Sequence, residues 1–380
     1  MQKTVAIIVS IITALFALGG REIYKSDISN RLIIQGMGID VENDGTYTVT
    51  IQAINTTTQS SSANENSGAT VKIYKVNDKT IYSAMKSVIE YEGKVPLYSQ
   101  NQIIVISRAI AEKGLDEIIN FFIRDADIGP NVYIAMAENR AEDILSEKTE
   151  GEIIPKNVDD AIDAADYEPE IFKLQLYELV NRYKDYKACF AMPVLTKVEE
   201  VKDQKGVQVK ETALFCNGKY LTTISRQETV LLNCLLDRVY NGDFSFEDEN
   251  RITLNIVNLK ATKKVNIKNN KLVFNIKIKV DADVAEIDKG VSSSSDKTNI
   301  DELSAKGEKY LKEQLTAFLE KLYWEEKCDV LGLSRLILRS EPSFYREQKE
   351  NLDNVLRDSQ YNIEVDITLR RMGHEFLQLS

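Results

Sequence analysis

Asn30-Arg31-Leu32-Ile33-Ile34-Gln35-Gly36-Met37-Gly38-Ile39-Asp40 is the stretch that decides the fold. It has the composition of a strand and carries the chain out of an apolar N-terminal segment into a folded body. Two glycines flank Met37, which marks a bulge or a close backbone approach. Tyr47-Thr48-Val49-Thr50-Ile51-Gln52-Ala53-Ile54 alternates as a second strand, and Asn43-Asp44-Gly45 supplies the turn between the two.

Upstream of this hairpin the chain resembles export machinery. Met1-Gln2-Lys3 is a short basic start, and Val5 to Leu18 is an apolar run broken only by Ser10 and Thr13. That run suits a signal h-region and is short for a spanning helix, which needs about 20 apolar residues. Ala17-Leu18-Gly19-Gly20 follows, with small residues where a peptidase cuts. Residues 1–21 are therefore either a signal peptide or an uncleaved membrane anchor.

Downstream, strands and amphipathic helices alternate, which predicts an α+β fold of mixed sheets with packed helices. Two to three domains follow the N-terminal segment: an N-terminal domain over 22–198 and a C-terminal α+β domain over 207–380. Residues 55–68 are almost wholly polar and read as a loop. Asp78 is placed to cap a helix whose apolar face is Ile81, Ala84, Met85, Val88 and Ile89. The acidic, apolar-poor residues 146–168 suggest a boundary. Asn217-Gly218 makes a hairpin turn, and Ser225-Arg226-Gln227-Glu228 is a capping box. Ile252 to Val280 forms a long ribbon turning at Asn269-Asn270, with Lys271, Lys277 and Lys279 on its solvated side. Asn299 opens a long helix carrying Leu311, Leu315, Phe318, Leu319 and Leu322, and a last strand holds Ile363, Val365, Ile367 and Leu369.

Composition removes several classes of function. A net charge of −11 leaves no basic field for nucleic acid. The single histidine, His374, sits near the C-terminus, so a nucleophile–histidine system would rest on that residue alone. Asp159, Asp160 and Asp163 are the nearest thing to an all-carboxylate metal set, and an acidic solvated face accounts for them. Glycine-rich phosphate loops are absent from the sequence. Cys189, Cys216, Cys234 and Cys328 form no metal-spaced motif and read as free thiols, with Cys189 and Cys234 as core residues and Cys328 among polar neighbours. No catalytic, cofactor-binding or metal residue is assigned, which leaves binding or assembly.

Four stretches together are similar to the Ger(x)C family, the C subunits of nutrient germinant receptors in spore-forming bacteria. They are Gly36-Met37-Gly38-Ile39-Asp40 with Tyr47-Thr48-Val49; Thr80 to Ala84 with Asn101 to Ser107 and Ala109 to Leu115; Phe121 to Asp125 with Val132 to Ala135 and Ala141 to Leu145; and Leu369-Arg370-Arg371-Met372-Gly373. The resemblance implies a non-enzymatic, lipoprotein-like subunit without a cofactor. It would be tethered on the outer face of the inner spore membrane, assembled with two integral membrane subunits of A and B type, and would meet small nutrients through that complex. Family members carry a lipid-attached Cys shortly before the first strand. Counted back from Gly36 that position falls near Glu22, where the Cys is absent. Two alternatives are a freestanding exported small-ligand-binding protein, using the 55–68 loop or a cleft between domains, and an exported hydrolase resting on His374.

Overall fold

The computed structural model describes residues 31–55, 70–124, 127–146, 154–198, 206–247, 251–269, 271–287, 297–372 and 375–376. The N-terminal segment with Glu22, nearly all of the polar loop at 55–68, Asn270 and His374 lie outside them.

The opening stretch is β1 (Arg31–Val41), and it is central to a sheet of nine described strands. On one side β1 pairs antiparallel with β2 (Tyr47–Asn55), which pairs with β3 (Thr70–Asp78). On the other it pairs in parallel with β4 (Val95–Leu97) and β5 (Ile103–Ile106). The parallel run continues through β6 (Tyr133–Ala137) to β7 (Phe190–Lys197). Antiparallel β8 (Val207–Cys216) and β9 (Lys219–Ile224) complete the sheet. β8 lies beyond the gap between the two expected domains, yet it pairs with β7 over eight register positions. Asn217 and Gly218, at φ 53° and 68°, form the turn between β8 and β9, as that dipeptide requires.

Both faces of the parallel part are covered, so its two inner strands, β5 and β6, are apolar on every residue. Ile103, Ile104, Val105 and Ile106 of β5 are all fully buried. One face packs against α1 (Ile81–Glu92), α2 (Arg108–Lys113) and α3 (Asp116–Arg124) through Val88, Ile110 and Ile118. The other packs against α4 (Ala141–Leu145) and α5 (Ile154–Asp163). The α5 segment lies in the stretch expected to be a boundary. Its apolar residues are few, but Ile154, Pro155, Val158 and Ile162 share one buried face, so a short helix docks there. The cap of α1 is Thr80 rather than Asp78, because Asp78 is still paired with Tyr47 across the β2–β3 ladder.

After α6 (Leu176–Tyr183), β7–β9 and α7 (Arg226–Leu236), a second sheet follows. Its order is β10 (Gly242–Glu247), β11 (Arg251–Lys268), β12 (Lys271–Ile287), β13 (Gln360–Met372) and β14 (Glu375–Phe376). β12 and β13 are parallel and the other pairs antiparallel. The long α8 (Lys297–Glu320) packs Leu315, Phe318 and Leu319 against this sheet and starts two residues before the expected cap at Asn299. Helices α9 (Leu333–Ser340), α10 (Pro342–Gln348) and α11 (Leu352–Arg357) connect it to β13. Cys328, expected among polar groups, is fully buried. One continuous apolar core includes residues of both sheets, from Met37 and Ile39 through Phe215 to Phe274 and Ile367. The expected α+β architecture is met.

The glycines of β1 have a steric reason. A Cβ at Gly36 would lie 2.4 Å from Cγ of Pro155 in α5, and one at Gly38 would lie 3.1 Å from Leu145 and 3.2 Å from Ala141 in α4. Gly36→Ala is expected to destabilise the chain by about 2 kcal/mol through overpacking, read as a lower urea midpoint.

Candidate functional site at the carboxyl ends of the parallel strands

Strands β1, β5, β6 and β7 run parallel, so their carboxyl ends converge on one edge. In open α/β sheets that edge is where ligands bind. Here β1 delivers Asp40 and, just past its end, Glu42; the bend after β6 delivers Glu138, Asn139 and Arg140; β7 delivers Thr196 and Lys197. A cavity of about 300 Å³ opens among Glu138, Arg140, Asp143, Ile144, Leu195 and Thr196.

Asp40 organises this edge from beneath. It is fully buried, and its two carboxylate oxygens accept from the backbone N–H groups of Ala141 and Glu142, each at 2.9 Å. Those are the first two donors of α4, left open because Arg140, at the cap position, makes no side-chain capping bond. Burial pushes the Asp40 carboxyl above its usual range, against the pull of the two backbone donors and of the Arg140 guanidinium.

Arg140 then faces outward. Its Nη2 meets Glu42 at 2.7 Å and its Nε meets Glu142 at 3.3 Å. Hydrogen bonds from Arg140 and Thr48 hold Glu42 below the usual carboxylate range. Glu138 accepts from the Thr196 hydroxyl at 2.5 Å and pairs with Lys210 of β8 at 2.7 Å, which lowers its pKa too. The edge is thus a strap of matched charges joining the ends of β1, β6, β7 and β8. These groups position one another.

A second cavity, of about 220 Å³, opens among Tyr133 of β6, Lys173, Gln175, Tyr177 of α6, and Arg238 and Tyr240 ahead of β10. Its cations are also matched, Arg238 with Glu178 at 2.7 Å and Lys173 with Asp166. The three aspartates weighed as a metal set all lie on α5. Asp163 accepts from the Tyr133 hydroxyl, and burial with the neighbouring charges of Asp163 and Asp160 pushes Asp159 up to about 6. Among the described residues, no group of three or more His, Cys, Asp or Glu side chains is arranged to hold a metal ion. Sequence reasoning did not find the Asp40–Arg140 arrangement, because the two residues meet only once β1 and β6 are in one sheet.

Residues 24–197 match the description "Spore germination protein N-terminal domain" and residues 210–373 match "Spore germination B3/ GerAC like, C-terminal". The chain is therefore a protein of the spore germination class. It belongs to the Ger(x)C family. It is 24% identical over 357 residues to spore germination protein B3 of Bacillus subtilis (strain 168), covering 91% of this chain and 92% of that one. Spore germination protein KC of the same organism is 21% identical over 377 residues, covering 92% and 91%. The crystal structure of the GerBC protein has the same fold, with a TM-score of 0.56 at 21% identity over 87% of this chain and 96% of that one.

Two outcomes follow from the charges. Asp40→Ala leaves two buried N–H groups without an acceptor and is expected to cost about 3 kcal/mol in urea unfolding at neutral pH. Asp159 binds its proton more tightly folded than unfolded, so its contribution to stability declines as pH rises from the ordinary 3.8 through about 6. Asp159→Asn is expected to gain about 1 kcal/mol at neutral pH, after discounting for its half-exposed position. The gain should shrink toward zero near pH 4 (the ordinary aspartate range) when unfolding is followed across pH.

Proposed function

We propose that this chain is the non-enzymatic, membrane-tethered C subunit of a spore nutrient germinant receptor, required for germination in response to small nutrients. The observation that carries the reading is the match of both halves to spore germination families, on a fold shared with GerBC. Its partners are two integral membrane subunits of A and B type, and it works on the outer face of the inner spore membrane. Among the described residues no helix is long and apolar enough to cross a membrane. The tether is assigned to the apolar run Val5 to Leu18, which precedes β1, since the lipid-attachment Cys is missing near Glu22. The matched charges at the carboxyl edge support a role in holding strands together rather than in turnover.

A second reading, a freestanding exported protein that binds a small ligand, draws on the cavity among Tyr133, Tyr177 and Tyr240. Its tyrosines and matched charges suit a small zwitterion.

Deletion of the gene in its spore former is expected to slow germination severalfold in at least one defined nutrient, scored by loss of optical density. The full chain should restore the response, and residues 31–380 behind a cleavable export signal should not. Unchanged germination in every nutrient counts against the receptor reading. Restoration by the untethered chain favours the freestanding one.

A further inference from the structure

Three of the four cysteines converge where the first sheet meets the helices before β13. Cys189 stands one residue before β7, and Cys216 ends β8. Phe190 and Phe215 face each other across the two strands with rings stacked at 4.7 Å, so Cys189 and Cys216 are the next facing positions. Their Sγ atoms lie 3.6 Å apart. Facing residues of an antiparallel pair have Cα atoms about 4.5–5.5 Å apart, within the range of about 4.4–6.8 Å that a disulfide bridges.

The backbone ahead of Cys189 is bent to reach this place. Lys187 and Ala188 hold φ of 54° and 39°, a conformation side chains rarely adopt. The bend is fixed by Asn217 N–H donating to the Lys187 carbonyl at 2.6 Å and by the Lys187 ammonium pairing with Asp353 of α11. Cys189 is 2% exposed, whereas Cys216 is half-buried, the more exposed of the two. Cys328 is close by, and its thiol donates to the Phe215 carbonyl at 3.4 Å.

We propose that Cys189 and Cys216 are a disulfide-forming pair that takes a small-molecule disulfide as its oxidant. The Cys216 thiol gives its proton to water, and its sulfur attacks one sulfur of the reagent, expelling one thiolate. Cys189, deprotonated in turn, attacks the Cys216 sulfur of that mixed disulfide and expels the second. Two protein thiols lose two electrons, and the reagent, on taking up two protons, leaves as two thiols. The bond ties positions 27 residues apart and fixes the bend that carries the Lys187–Asp353 contact between the turn before β7 and α11. This chemistry is independent of where the chain resides and of its part in germination.

The test treats the full chain with oxidised glutathione at mildly alkaline pH, alkylates it, and digests it with trypsin without reduction. Cleavage places the three cysteines in separate peptides, 188–197, 211–219 and 328–335. The expected product is 188–197 joined to 211–219. A rise in Tm of about 5 °C over the reduced chain accompanies it, and Cys216→Ser abolishes that rise. A glutathione adduct retained on Cys216, a link from Cys189 to Cys328, or full alkylation of both cysteines overturns the proposal. The peptide map decides alone if the variant does not fold.

Discussion

The carboxylate of Asp40 and the two glycines before it set a constraint on which the first sheet depends. A central strand in a parallel sheet must be covered on both faces, and the cover over this face of β1 is short: α4 and α5, tied to the strand at close range. Small residues let the helices approach, and a buried charge gives the first of them its missing cap. Each alone is insufficient. Without the glycines the helices are held off the strand; without Asp40 the N-terminus of α4 is buried with open donors. Three residues of one strand, at 36, 38 and 40, point to the same face and supply both.

The same economy recurs at the second sheet. Asp329 is buried and accepts from the backbone N–H groups of Leu333 and Ser334 at the start of α9, each at 2.8 Å, and from the Tyr323 hydroxyl at 2.8 Å. Between the sheets, Asn233 of α7 donates to the carbonyls of Pro169 and Ile171, and Arg335 of α9 pairs with Asp185 at 2.6 Å. The junction therefore combines a shared apolar core with polar groups that specify how the parts seat. Where such polar contacts are buried, as at Asn233, they contribute about 1 kcal/mol each to stability and fix one seating of the parts.

Local features were legible in the sequence because their cause lies within a few residues. The turn at Asn217-Gly218 needs positive φ at both positions, and the box from Ser225 to Glu228 closes within one helical turn. Alternation over Leu272 to Val280 placed β12 and its buried face. The α5 helix is hard to read from the sequence because half of its residues are polar, four of them charged, while its single buried face is complete. Phe172 lies in the extended segment before α6, because the helix opens only at the capping box of Gln175 and Glu178. The candidate site was least legible. Asp40 and Ala141 are 101 residues apart and meet only through the order of strands. The thiol pair was equally hidden, since nothing short of the β7–β8 register brings Cys189 beside Cys216.

The continuity of the first sheet across β7 and β8 bears on how the chain is made. Synthesis delivers the parallel strands first, and β7 emerges with Leu195, Val194 and Met192 already committed to the interior. Until residues 207–224 follow, its outer edge presents a row of open backbone donors and acceptors, an adhesive template for any strand nearby. The β8–β9 hairpin is thus the closing piece of the first sheet, although it belongs by sequence match to the second half. A truncated product ending at the seam would be a sticky half-sheet rather than a smaller soluble unit.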